Sequence, residues 1–268
     1  MIDNSIMDFR QLDLLAGGDS VIHRLDPRTK VLVTLAFIIA VVSFDRYALG
    51  ALLPFVLFPV ATMAIANLPV GFFAAKVMLV SLVAVAIGIF NPLLDSQVLV
   101  RIGNVGISAG WVSFGSIILR SALTITAALL LTATTGFSAI CQALGRLGMP
   151  EVFVRQLQFM YRYLFVLTEE AQRMARAREL RSFGKGGQGI RALSSMVGHL
   201  LLRTWERAER IHIAMRCRGF NGRMAASCST GFGLVDLLFL LGWITLFTLL
   251  RLYDLPRLIG DTIMTLTL

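Results

Sequence analysis

Two short basic stretches carry residue types suited to recognition chemistry, "ARARELRSFG" at 175–184 and "IAMRCRGFNG" at 213–222. Aligned, Ala177-Arg178-Glu179-Leu180-Arg181-Ser182-Phe183 matches Ala214-Met215-Arg216-Cys217-Arg218-Gly219-Phe220. Each places an arginine four residues after an alanine, then a small residue, then Phe. A guanidinium is a planar, permanently charged fork that suits carboxylates and the free carbonyls of a helix C-terminus. One such ending reads as a helix cap: arginine meets the dipole, glycine follows, and Phe packs back. Two in succession favour a pair of tips that dock in an acidic groove of a partner. In this alignment Arg218 pairs with Arg181, whereas Arg216 falls opposite Glu179 and reads as a supporting or solvated charge.

Other reactive residues form no constellation. His23, His199 and His212 are scattered, and Cys141, Cys217 and Cys228 show neither an even framework nor a CxxC, so they read as reduced structural thiols. "GKGGQG" at 184–189 lacks the G-x-x-x-x-G-K-[ST] spacing of a phosphate loop and reads as a linker. No Ser/His/Asp grouping or metal-ligand spacing is present. The expectation is a binding protein with no cofactor or metal of its own.

The elements that must position these stretches are helices in a membrane. The chain has 268 residues, 56% hydrophobic and 15% charged, with a mean hydropathy of +0.76; soluble domains average about 45–50% and 25%. Residues 1–30 are polar and contain Asp3, Asp8, Asp13, Asp19 and Asp26, unlike a cleaved signal peptide. A spanning helix needs about 20 apolar residues. Five stretches qualify: Arg28 to Phe44, Tyr47 to Ala66, Phe72 to Leu94, Trp111 to Thr135, and Phe232 to Arg251. Asn67-Leu68-Pro69 divides the second from the third, and a Gly-rich loop, "RIGNVGISAG", precedes the fourth. The expected fold is all-α, polytopic, with about five transmembrane helices plus long amphipathic cytoplasmic helices.

Residues 136–224 differ from the rest. They hold 15 Lys/Arg against six Glu, an excess equal to the net charge of the whole chain, +9. Lys and Arg gather in cytoplasmic segments, which puts this region and the N-terminus inside. Three parts follow: 1–135, an N-terminal segment and four spans; 136–224, the basic region; 225–268, the last span and a short outer tail.

The basic region reads as a short helix, Phe137 to Leu147, and two long ones, Glu151 to Leu180 and Ile190 to Arg218. The first long helix is apolar and aromatic early and charged late. On the second, Leu193, Val197, Leu200, Leu201, Thr204, Ala208, Ile211 and Met215 make one apolar face. Arg203, Arg207 and Arg210 crowd the other, with Glu206 four residues before Arg210 as a supporting pair. Two charges fall near spans. Arg120 belongs nearer the outer end and Asp236 nearer the inner end, where it suits a helix N-terminus.

With these residues in place, the chain resembles the T component, the transmembrane scaffold subunit, of energy-coupling factor (ECF) transporters, in its cobalt-type, CbiQ-like form. The resemblance lies in "LAGGDSVIHRLDPRTK" at 15–30, in "LGRLGMPEVFVRQLQFMYRYLFVLTEEAQR" at 144–173, and in the paired arginine endings, similar to the family's two Ala-Arg-Gly motifs. It covers essentially the whole chain. It implies that Arg181 and Arg218 sit at the tips of two coupling helices and dock in two ATP-binding-cassette ATPase subunits. Ser182, Gly219, Arg178, Glu179, Arg216, Phe183 and Phe220 are then the residues around the contacts. This sequence has Leu180 and Cys217 where the family has alanine, and Ser182 where it has glycine. The resemblance further implies a membrane S component that captures cobalt, with nickel or, for a shared scaffold, a vitamin as the alternatives, ATP bound only by the partner subunits, and a multi-pass place in the plasma membrane.

Two other functions compete. A stand-alone secondary transporter or channel calls for ionisable residues along several spans, and these spans are nearly free of charge. A membrane enzyme calls for clustered catalytic groups. A nucleic-acid partner is not needed to explain the isoelectric point near 10.3, because cytoplasmic helices beside anionic lipid account for it.

Overall fold

The computed structural model describes residues 11–45, 49–91, 98–102, 105–181, 189–220 and 231–252. The chain divides into two compact units, Met1–Ala143 with Thr230–Leu268, and Leu144–Ser229.

The first unit begins with a start signal. Asp26 accepts the Arg28 N–H at 2.9 Å and Pro27 occupies the first turn of α1, Pro27–Val42. A short acceptor followed by proline is the combination that opens a helix, because proline's missing N–H is one the helix would leave unpaired anyway. Four longer apolar helices follow: α2, Leu49–Ala66; α3, Val70–Gly88; α4, Ala109–Thr135; and, after the second unit, α8, Leu234–Leu252. All five expected spans are helical. The first is the exception in length: with 16 residues, α1 falls short of the four that are long enough to cross a membrane.

The dividers act as read. Asn67 takes the left-handed conformation (φ 51°), and the Leu68 N–H returns to the Met63 carbonyl at 3.2 Å, closing α2. The helix of the third span runs to Gly88; its expected end near Leu94 lies outside the described residues. The Gly-rich loop is also corrected. Val98–Ile102 pairs antiparallel with Val105–Ser108 as a short hairpin. Its β-branched residues on either side of Gly103-Asn104 are a hairpin signal that the glycines obscured.

Packing centres on α1 and α4. Phe37, fully buried, meets the rings of Phe58, Phe247 and Phe55 at 4.7, 5.4 and 6.0 Å. The buried residues of α4 include Ser113, Ser116, Leu123, Ala127, Leu130 and Thr134, a stripe of mostly small side chains at steps of three, four or seven positions. Lipid gives no hydrophobic drive between helices, so small residues that let backbones approach do the packing. At the α3–α4 contact a Cβ added to Gly88 would lie 2.9 Å from the Phe114 ring.

Polar groups seal both ends of α1. At its C-terminal end Arg120 Nη2 donates to the carbonyls of Phe44 (2.9 Å) and Asp45 (3.2 Å). Arg251 Nη2 donates to that of Ser43 (3.0 Å), with its guanidinium 4.3 Å over the Phe44 ring. Cations thus meet the negative end of the helix. At its N-terminal end lies a buried group. Asp236 Oδ1 accepts the Asp26 N–H at 2.7 Å and Oδ2 accepts the Gly233 N–H at 2.9 Å. Lys30 Nζ donates to the Thr134 carbonyl at 2.9 Å and the His23 carbonyl at 3.4 Å. Asp236 therefore serves its own helix start, as expected, and also holds a second strand of chain that the sequence did not disclose.

Candidate functional site

The second unit carries the basic stretches. It contains the end of α5, Phe137–Arg146, and two long helices, α6, Glu151–Arg181, and α7, Ile190–Cys217. At 1.5 Å per residue α6 and α7 are about 46 and 42 Å long. The connection between α5 and α6 closes as read: Gly148 has φ 112°, and the Met149 N–H returns to the Leu144 carbonyl at 3.1 Å before Pro150 restarts the chain.

Helices α6 and α7 enclose an open apolar groove of about 460 Å³, lined from α6 by Phe159, Met160, Tyr163 and Leu167. The α7 wall comes from Leu201, Thr204, Ala208, Ile211 and Met215, the lower part of the expected apolar face. Its upper part, Leu193 and Val197, is exposed, as are Leu202 and Trp205. No residue of α6 is buried, and Val152, Phe153 and Met160 are all more than half exposed. Among the described residues of α7 none is buried either, and an exposed apolar surface of this extent is suited to contact with a partner or a membrane.

Glu170 joins the two helices. It accepts from Arg203 of α7 at 2.7 Å and from Arg173 of its own helix at 2.9 Å. The hydrogen bond from Arg203, aided by Arg173, holds its carboxyl below the usual range. The expected Glu206–Arg210 pair is not among the ion pairs of the described residues; Arg210 Nε donates instead to the Glu206 backbone carbonyl at 3.3 Å. The role of Glu170 is not legible in the sequence, because i,i+4 spacing ranks partners on one helix only, while a neighbouring helix offers a better one.

At the end of α7 the cap is complete. Gly219 has φ 78°, its N–H donates to the Arg216 carbonyl at 3.0 Å, and the Phe220 N–H donates to that of Met215 at 3.0 Å. These two bonds are the Schellman closure, which also brings the residue after the glycine back against the helix. Accordingly Phe220 and Met215 line the same groove. Arg216 and Arg218 are both exposed, and Arg218 occupies the capping position at φ −89°. Residues two apart do not share a helix face, so the doublet presents two directions.

At the end of α6, Arg178 and Arg181 stand three residues apart in the last turn and so share a face. Arg181 and Glu179 are exposed; Arg178 is half-buried, with Nη2 shielded from solvent and unpaired among the described residues. Ser182 and Phe183 lie outside the described residues. The structure thus gathers Arg216, Arg218, Gly219 and Phe220 in one cap and Arg178 with Arg181 on one face. No three His, Cys, Asp or Glu side chains among them gather closely enough to hold a metal ion.

Residues 18–227 match the family model described as CbiQ, cobalt transport protein. The chain is 28% identical over 224 residues to the energy-coupling factor transporter transmembrane protein EcfT of Streptococcus thermophilus, 76% of this chain and 83% of that protein. It is 25% identical over 235 residues to EcfT of Bacillus subtilis, 81% and 87% of the two chains. An uncharacterized protein of Methanocaldococcus jannaschii is 30% identical over 138 residues, 51% of this chain and 47% of that protein. The chain therefore spans about half the length of that archaeal relative and more than four-fifths of the two transporter proteins.

Proposed function

Because the chain belongs to the CbiQ cobalt transport protein family and is a transmembrane component of an energy-coupling factor transporter, we propose that it is the non-catalytic scaffold that couples two ABC-type ATPase subunits to a membrane S component. The cargo is cobalt or nickel, captured by that S component. The scaffold sits in the plasma membrane, with its N-terminus and residues 136–224 in the cytoplasm, on the strength of the charge excess confined to that region.

The observation that carries this reading is the pair of exposed arginine tips, Arg181 and Arg218, on two helices that leave their apolar surface uncovered. An exposed guanidinium at a helix end, with an apolar groove behind it, is suited to an acidic pocket on a partner. In this reading Arg178, Ser182, Phe183 and Glu179 border one ATPase contact. Arg216, Gly219 and Phe220 border the other. Closure of the ATPases on ATP moves the two tips, and the helices carry that motion to the S component.

The test is the double variant Arg181→Glu with Arg218→Glu. It should reach the membrane at normal abundance, lose at least about tenfold in co-purified ATPase subunits, the scale of a truncated hydrogen-bonded charge pair at an interface, and abolish ion uptake. Normal association and uptake would overturn the proposal, as would transport by the purified chain alone in liposomes without ATP.

A further inference from the structure

The segment "LAGGDSVIHRLDPRTK" is used in none of the contacts proposed above, yet the structure builds it into a buried polar group. Asp26, Lys30 and Asp236 are 1%, 5% and 6% exposed. Their bonds tie four pieces of chain together. His23 Nε2 lies 3.0 Å from the Leu15 carbonyl and Nδ1 lies 2.7 Å from Ser20 Oγ, which fixes the polar segment before α1. Asp26 opens α1. Lys30 reaches the carbonyl of Thr134, one of the last carbonyls of α4, which no intrahelical N–H can satisfy. Asp236 and Gly233 belong to the start of α8.

The position of these last two pieces is what gives the group meaning. Thr134 lies two residues before the basic region begins, and Gly233 lies a few residues after it ends. Both points at which the chain leaves and re-enters the membrane-spanning helices are therefore bonded to the same end of α1.

Buried charges are a poor way to gain stability alone, since desolvation costs several kcal/mol per ion and an apolar contact of equal volume often holds as well. What they add is direction. Apolar side chains in lipid slide past one another with little change in contact, whereas a hydrogen-bonded charge has one satisfied geometry. An element that must resist shear at two exits has use for the second kind of contact.

We infer that Asp26, Lys30 and Asp236 are positioning residues for transport: they form the fixed anchor against which movement of residues 136–230 becomes work on the membrane unit. The inference rests on the coupling role proposed above. Without the anchor, the ATPases still dock and hydrolyse ATP, but the exits of α4 and α8 give way and the stroke is lost.

The experiment uses the complete complex in proteoliposomes, with Co²⁺ and Ni²⁺ as probes, and measures bound ATPase, ATP hydrolysis and ions delivered per ATP. Two variants are compared. Lys30→Met removes the ammonium; Asp236→Asn keeps an oxygen for the Asp26 N–H but removes the charge. Both should retain ATPase subunits at wild-type stoichiometry and hydrolyse ATP within about twofold of wild type, while ions delivered per ATP fall by about tenfold or more. Asp236→Glu, which restores the carboxylate, should recover most of that ratio. An unchanged ratio in both variants overturns the anchor. So does a fall in binding, hydrolysis and transport together in proportion to protein in the membrane, which makes the group a folding element only. Failure of the coupling role itself looks different: the wild-type chain then retains no ATPase at all.

Discussion

Helices α4 and α6 are close in length, 27 and 31 residues, yet nine residues of α4 are buried and none of α6. The difference lies in side-chain size. Along α4 the inward positions are Ser, Ala, Gly and Thr with a few Leu, so neighbouring backbones come close and the surface is satisfied inside its own unit. Along α6 the apolar positions are Phe, Tyr, Met and Leu, side chains that reach outward over a groove. One helix is finished by its own chain; the other carries the kind of surface that a second protein finishes.

Substitutions can break that comparison. The largest effect is expected for Leu123→Ala in α4, which deletes a buried side chain and costs about 2–5 kcal/mol. Phe153→Ala in α6, more than half exposed, should shift stability by no more than about 0.5 kcal/mol. Thermal unfolding of the isolated chain in detergent measures both, and comparable losses would mean that α6 is covered within the chain after all. An effect smaller than that of Leu123→Ala, and local, is expected at Gly219→Ala. The residue sits at φ 78° and no neighbouring atom lies within 4 Å of an added Cβ, so the cost, about 1 kcal/mol, comes from the Cβ against its own backbone. Amide exchange at Gly219 and Phe220 should quicken while the melting temperature of the first unit stays put.

The smallest effect concerns the tie between α6 and α7. Hydrogen bonding lowers the Glu170 carboxyl, so its contribution is complete above the ordinary carboxylate pKa of about 4.3 and is lost only as pH falls through the lower folded value. Spin labels on the two helices should report one separation from pH 7 down to the ordinary carboxylate pKa, and a wider or broader one only in more acid solution. Glu170→Gln should produce the acid behaviour at neutral pH, and added salt should do so in part, because the pair is exposed. A separation indifferent to all three would show that the groove alone holds the helices.

Much of this was legible because it is local. Asp26-Pro27 starts a helix, Gly148 and Gly219 end helices, and Asn67 divides two, each through bonds that span at most five residues. The helix pair with arginine endings could be read for the same reason. Contacts between distant residues could not. Asp236 meets Asp26 across 210 positions, and nothing in either neighbourhood announces the other. Glu170 with Arg203 is the same lesson at shorter range: helical spacing finds partners along an axis and is blind across a groove. The hairpin at Val98–Ile102 was hidden by glycines that mark a turn as readily as a loop.

The length of α1 has a consequence in the lipid. Sixteen residues rise about 24 Å against a hydrocarbon core of about 30 Å. Leu35, Ile39 and Val42 on its outer side are exposed, so acyl chains meet a helix too short for them. Thinning the bilayer to match a short span costs a fraction of a kcal/mol per ångström, and a membrane already thinned at one place is the easiest place to deform further. The shortest of the five apolar helices thus marks where the surrounding lipid is softest.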